Sequence, residues 1–457
     1  MLWANFLHVY QPPTQKKEWV KKIADESYRK VFPGLLHIDR ARLTLNINGV
    51  LCDLLASHGG KDVLETIKRL LKKGAIELTG SARYHAFLPL LPESEIRRQI
   101  LLNEESMNHY FGEGWKSGGF FAPEMAYSEK VLRVASELGY RWFIMDEIAY
   151  PMGRRFVPNI LHRIQGFNNT HVFFRERDLS FSIASAQVRT VSAMLHQLQP
   201  RLNGEEYIVT AMDGEIFGHH HLGLEEFLFD LMRDPRIEPV RVSDLLTRIN
   251  KEETIMPRPS TWASTKKDMK NNIPFCRWLN NENVIQKSQW ELTNLALRVV
   301  GKSPGDISSR KALDQALHSD QYWWASIRPW WSLEMIERGA NALRTVILGA
   351  KGATEKEKQH AGDLYTSIIF TGFEWQRSGY VDELSRSESE EIREKLDEKG
   401  KYFMTQEEYR RMIDVLKGQM KEAATVEDFH RAARIKDRIQ EWHEEMMKAH
   451  GHESPRS

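Results

Sequence analysis

Up to about residue 245 the chain alternates short apolar runs with stretches whose apolar residues recur every three to four positions. Seven runs read as strands: residues 2–10, 42–47, 75–81, 118–124, 141–147, 171–180 and 206–215. Between them, SEIRRQILLNEESMNHYF (94–111), SEKVLRVASELG (128–139) and LEEFLFDLM (224–232) gather their apolar residues on one helical face. Ser128 is placed to cap the second of these and Gly139 to stop it. Strand and helix in alternation predict an α/β fold with a mainly parallel sheet. Seven strands are what a closed barrel would need, though the count alone does not establish one. From about 250 to 385 the strand pattern stops, and residues 288–300, 332–350 and 355–370 read as helices. A charged connector (385–401) leads into residues 403–449, whose narrow apolar stripe and high charge predict a two-helix hairpin. The last residues, GHESPRS, are expected to fray.

Composition narrows the function classes. At 41% hydrophobic and 28% charged residues, with net charge +1, nothing supports binding nucleic acid or an acidic membrane by bulk electrostatics. Two cysteines, Cys52 and Cys276, cannot build a disulfide framework or a four-cysteine zinc site and are expected to be buried thiols. MLWANFLHVYQPP lacks the basic and apolar blocks of a signal peptide, and no apolar run approaches a membrane span. The expectation is a cytoplasmic protein. Thirteen tryptophans stand out, clustered in QYWWASIRPWWS (321–332) and FEWQRSGY (373–380). Such clusters serve either as core packing or as stacking platforms for sugar rings.

Each apolar run turns polar at its C-terminal end. The chain delivers His8 and Gln11, Asn46 and Asn48, His85, Glu124, Asp146 and Glu147, Arg175 and Asp178, then Asp213 and Glu215. In a β/α barrel these ends converge on one mouth. The densest is TAMDGEIFGHHH (210–221), with two carboxylates and three histidines between Asp213 and His221. Glu124 and Asp213 are 89 positions apart, and paired carboxylates across a sugar-sized cleft are what acetal chemistry requires. Glu215 and Phe217 are candidates for raising the pKa of the acid.

These stretches also resemble a known family. GGFFAPEMAYS (118–128) and TAMDGEIFGHH (210–220) resemble the third and fourth sequence regions of glycoside hydrolase family 57, which acts mainly on α-glucans. HVYQPP (8–13) resembles its opening His-x-His-Gln-Pro, and ELTGSARYHAFLPLLP (77–92) its second region. FFRERDLSFSI (173–183) and DQYWWASIRPWWS (320–332) resemble two further segments, so that the likeness spans roughly residues 1–380. The resemblance implies a seven-fold (β/α) barrel followed by an α-helical bundle, and a retaining mechanism. Glu124 matches the nucleophile, Asp213 the general acid/base, and His8 a histidine contacting sugar hydroxyls. Gln11, His85, Asp146, Glu215, His219 and Trp324 are further substrate-binding candidates, with no cofactor or metal. Two residues depart from the pattern: Tyr10 stands where the second histidine is usual, and His220 where many members have tryptophan. Both bear on substrate contacts rather than on the two carboxylates.

On this reading the catalytic barrel takes residues 1–265, a helical domain 266–385, a charged linker 386–402, and a hairpin with its tail 403–457. LKGQMKEAATVEDFHRAARIKDRIQEW (416–442) resembles the UVR motif, a helical hairpin that excision-repair subunits use to bind each other. It implies a protein-docking helix pair and nothing about DNA; a solvated hairpin folding back on its own chain is the alternative. The activity also keeps alternatives. Glu215 and His219 are four positions apart, a metal-ligand spacing on a helix, so a metal-dependent polysaccharide deacetylase on a related barrel competes. No Asp-Asp pair on an early strand or His-x-x-x-His completes such a set. A glucan-binding scaffold without catalysis is the third reading. His221 is expected to face solvent.

Overall fold

All seven apolar runs become strands. The computed structural model describes residues 1–154, 156–167, 169–201, 206–328, 330–386 and 404–450. The runs form β1 (Leu2–Val9), β2 (Leu43–Ile47), β3 (Ile76–Gly80), β4 (Lys116–Phe120), β5 (Trp142–Asp146), β7 (His171–Arg175) and β8 (Tyr207–Asp213). Three short strands add to them: β6 (Leu161–Ile164), β9 (Glu238–Val240) and β10 (Glu252–Ile255). They were not legible because three or four residues are too few to show alternation. β10 also corrects the expectation that strands end near residue 250. The run at 171–180 stops as a strand at Arg175, because Glu176 accepts from the amide of Leu179 and caps a helix over Arg177–Ala184.

The sheet order is β10-β6-β7-β5-β4-β3-β2-β1-β8, with β9 beside the first half of β1. From β7 to β8 every neighbouring pair is parallel, and only β6 and β7 run antiparallel. β2, β3 and β5 are buried at every position, as strands covered on both faces must be. The sheet curls, so that the amide of Glu176 just past β7 donates to Val209 of β8 at 2.7 Å. The predicted helices flank it at Glu93–Phe111, Glu129–Glu137 and Leu224–Arg233. Ser128 caps the second by accepting from Val131, and Gly139 follows it at φ 89°.

Beyond the sheet, Val284–Gly301, Leu333–Gly349 and Glu355–Arg377 pack together around Trp290, Leu292, Leu343 and Ile347. Gln406–Thr425 and Phe429–His450 form the hairpin around Tyr409, Ile413, Leu416 and Trp442. Leu222 is the residue of the sheet region that joins this small core. The rest of the junction is polar: Arg411 with Asp230, Arg189 with Glu445 at 3.2 Å, Gln419 with Glu225 at 2.7 Å, and Arg434 with Glu26 at 3.3 Å. Cys52 and Cys276 are buried and free. No described helix is long and apolar enough to cross a membrane. The charged linker after Arg386 and the tail after His450 lie outside the described residues.

Candidate active site

The strand ends converge as their order predicts. β1 lies between β2 and β8, with His8 in register with Asn46 on one side and Asp213 on the other. His8 is buried, and its Nδ1 lies 2.8 Å from Asn46 Oδ1. Asn46 donates its amide to Thr79 Oγ1, so its oxygen accepts and His8 Nδ1 must carry the proton. His8 Nε2 then accepts from His85 Nε2 at 3.1 Å, and His85 Nδ1 accepts from Ser319 Oγ at 2.9 Å. Burial keeps both rings neutral, lowering His8 to about 4 and His85 well below the usual imidazole value.

Glu124 follows β4 in a short 3-10 turn, where it takes φ 63° and Met125 φ 51°. His85 sits at φ 55°. A left-handed backbone at non-glycine residues is strain that clusters at functional sites. The Glu124 carboxyl accepts from Trp262 Nε1 at 2.9 Å, and its other oxygen lies 3.8 Å from His85 Nδ1. Burial first, then the charges of Asp320 and Asp213, raise it to about 8, against the opposing Trp262 bond. Asp213 ends β8 and faces the open mouth; crowding by protein raises it to about 6, against the pull of Arg175. Its charge also reaches Glu215, which burial and Asp213 raise to about 8. Glu215 accepts from the Tyr28 hydroxyl and from the amide of Tyr10 at 3.2 Å.

Other predicted residues lie at greater remove. Asp146 is buried and spends its oxygens on Arg177 at 2.6 Å and Arg175 at 3.0 Å, so it bears on Asp213 through Arg175. Gln11 is buried and accepts from Gln15 at 2.8 Å. Trp324 meets Trp330 edge to face with centroids 6.0 Å apart. His219 turns the other way: its Nδ1 lies 2.5 Å from Glu26 Oε2, on the side where Arg434 of the hairpin binds the same carboxylate. His221 is half-buried, its Nε2 donating to the Ala184 carbonyl at 2.9 Å, which corrects the expectation that it faces solvent. Among the described residues no three His, Cys, Asp or Glu side chains are placed to hold a metal ion.

Apart from Tyr10, several residues bonded within the site were not singled out from the sequence. Asp320 is the chief one. It accepts from the Tyr10 hydroxyl at 2.6 Å and from His318 Nδ1 at 3.0 Å. Burial pushes its pKa up, but His318, His85 and Tyr10 together hold it below the usual carboxylate value. Tyr10, the residue in place of a usual histidine, stacks on His85 with centroids 3.9 Å apart. Trp262 is set by its own amide donating to the Glu124 carbonyl. Tyr28 and Glu26 lie on a π-helical turn, Ala24–Tyr28, a form frequent at functional sites. The one available signal was Asp320 itself, which opens DQYWWASIRPWWS.

Comparison with known proteins places the chain in a family. Residues 6–258, more than half of the chain, match the description Glycosyl hydrolase family 57, and residues 410–444 match the UvrB/uvrC motif. The chain is 26% identical over 286 residues to a Methanocaldococcus jannaschii protein named "Putative alpha-amylase", covering 58% of this chain and 59% of that protein. An alpha-amylase of Pyrococcus horikoshii is 22% identical over 304 residues, covering 62% of this chain and 47% of the relative. The chain thus spans about half to three-fifths of the length of these relatives. Among solved structures, a 4-alpha-glucanotransferase from Thermococcus litoralis superposes with TM-score 0.62 at 16% identity, covering 76% of this chain and 59% of that one. A GH57-type branching enzyme from Pyrococcus horikoshii gives TM-score 0.58 at 17% identity, covering 80% and 96%. At these identities the two structures speak to the fold alone.

Proposed function

The chain belongs to glycosyl hydrolase family 57, and from that premise we propose that it is a retaining glycoside hydrolase or transglycosylase acting on α-glucans. The observation that carries the reading is the placing of Glu124 and Asp213. Glu124 follows β4 and Asp213 ends β8 in one polar cluster, close enough for the charge of Asp213 to raise Glu124. A Glu124 oxygen attacks the anomeric carbon, while the glycosidic C–O bond breaks and its electron pair passes to the departing oxygen. Asp213 gives that oxygen its proton. In the second half Asp213 takes a proton from water or a sugar hydroxyl, whose oxygen displaces Glu124. Hydrolysis and transfer share every step up to the glycosyl-enzyme, and the relatives include proteins named for each.

Trp262 holds one oxygen of Glu124 by hydrogen bond, leaving the other to attack. Tyr10 and His318 both bond Asp320 Oδ2, which leaves Oδ1 to accept from a hydroxyl of the reacting sugar. The neutral His8–His85 pair, its nitrogens spent on Asn46, Ser319 and each other, holds Tyr10 in place by stacking. On this reading the curled parallel sheet is a seven-fold (β/α) barrel, the catalytic part spans 1–265, the helices of 266–385 wall the cleft, and 404–450 is a docking hairpin for another protein.

The test incubates wild type and Glu124→Gln with maltooligosaccharides of defined length and sizes the products. Shorter sugars from wild type alone identify a hydrolase, and longer together with shorter sugars a transferase. Undiminished turnover by Glu124→Gln removes the mechanism.

A further inference from the structure

Residues 214–223 follow Asp213 directly and consist of a short 3-10 turn and further turns, bent by Gly218 at φ 100° and Gly223 at φ 82°. A segment of this kind owes its position to what packs behind it. Behind it lies the π-helical turn Ala24–Tyr28, and three consecutive residues of that turn reach it. The Tyr28 hydroxyl donates to Glu215, and the Ser27 hydroxyl donates to the Gly214 carbonyl at 3.3 Å. Glu26 Oε2 lies 2.5 Å from His219 Nδ1, and the Glu26 carbonyl sits so close to Gly218 that a Cβ there would come within 2.2 Å of it.

The hairpin closes over the outside of both. Arg434 binds the other oxygen of Glu26 at 3.3 Å. Gln419 donates to Glu225 at 2.7 Å and accepts from Lys30 at 3.3 Å. Met412 and Leu416 lie against Gly223, and Leu222 enters the hairpin core. Arg434 is thus two steps from the neighbours of Asp213. It holds Glu26, and Glu26 with Ser27 and Tyr28 holds Gly214, Glu215 and His219.

Glu26 and Glu225 are only 3% and 1% exposed. Carboxylates held out of water must each find a partner, so this seating of the hairpin satisfies both and a shifted one would not. We propose that the docked hairpin positions the acid/base loop: Arg434 and Gln419, acting through Glu26 and Glu225, hold residues 214–223, and turnover depends on docking. The proposal rests on the reading of Asp213 as the acid/base and extends it to a distant part of the chain. Arg434 and Gln419 are positioning residues, since each acts on the site through another side chain.

The experiment compares the full chain with Arg434→Glu, which sets a carboxylate against Glu26 from a side chain 45% exposed, and with Arg434→Lys, which keeps the charge. Arg411→Ala is the control, removing a junction pair that ends on Asp230 of the helix Leu224–Arg233 rather than on the loop. Hydrogen exchange is followed by mass spectrometry in peptides covering 24–28 and 213–223, and kcat and KM are measured on a maltooligosaccharide. Arg434→Glu is expected to speed exchange in both peptides and to lower kcat about tenfold, with KM changed by no more than about twofold. Gln419→Ala should show the same changes to a smaller degree, while Arg434→Lys and Arg411→Ala keep the wild-type kcat. Faster exchange confined to 404–450, with 213–223 and kcat unchanged, overturns the inference. So does a fall in kcat without faster exchange across 213–223. Wild type that does not turn over maltooligosaccharides overturns the α-glucan reading, and the exchange comparison then decides the inference by itself.

Discussion

Replacing Trp262 by Phe removes one hydrogen bond and leaves the ring packing against Phe121 largely in place. The lost donor faces Glu124 Oε2 at 2.9 Å. A hydrogen bond to a charged group is worth about 1.5–3 kcal/mol, or about one to two pKa units at 1.36 kcal/mol each. The Glu124 side chain is only 15% exposed, so solvent does little to replace the bond. Its pKa then rises from about 8 to roughly 9–10.

On the proposed mechanism the reacting form needs Glu124 ionised and Asp213 protonated. With Glu124 at about 8 and Asp213 at about 6, most molecules near neutrality hold the proton on the wrong carboxyl. About one in a hundred has the competent arrangement. The wild-type kcat/KM profile is therefore a bell with limbs near 6 and 8. In Trp262→Phe the alkaline limb moves up with Glu124 and the acid limb stays. The maximum falls by about tenfold to a hundredfold, because the competent fraction shrinks with each added unit. The assay is kcat/KM for a maltooligosaccharide from about pH 5 to about pH 11. Movement of the acid limb instead, with the alkaline limb fixed, would mean the usual order of protonation and refute the reasoning.

Three further outcomes are expected. Tyr28→Phe deletes the hydroxyl that donates to buried Glu215, and urea unfolding should show a loss of about 1–3 kcal/mol. Gly218→Ala would put a methyl 2.2 Å from the Glu26 carbonyl at φ +100°; steady-state kinetics should show about a tenfold lower kcat, since the strain falls on the loop after Asp213. Burial raises the pKa of Glu26, but His219, Arg434 and Lys22 together bring it below its usual value. A depressed carboxylate contributes stability above its unfolded pKa and loses it as pH falls through the folded one. Hairpin docking should therefore weaken below about pH 4, seen as faster proteolysis within 404–450, and Glu26→Gln should flatten that dependence.

The seven long strands and their polar ends were legible because buried parallel strands are apolar throughout and carry their chemistry at one end. Glu124 and Asp213 stand at such ends, and so do His8 and Asn46. What sequence could not show is where loops bring residues back. Trp262 reaches Glu124 because Ser260 bridges to Tyr127, a pairing across more than a hundred positions. Asp320 arrives on a four-residue helix with no periodicity to read. His219 shares a motif with Asp213, yet Gly218 at φ 100° turns the chain so that His219 meets Glu26. The hairpin was legible from its stripe and charge, but its seat, Leu222 in the small core ringed by separate polar pairs, follows no pattern in the sequence.

The central claim is that Glu124 becomes covalently glycosylated while Asp213 moves the proton. It is tested most directly by trapping the enzyme with a slow α-glucosyl fluoride inactivator and locating the added sugar by peptide mass mapping. The account predicts one sugar, on Glu124 alone, accumulating further in Asp213→Ala. A sugar on another residue, or turnover with inversion and no adduct, would contradict it.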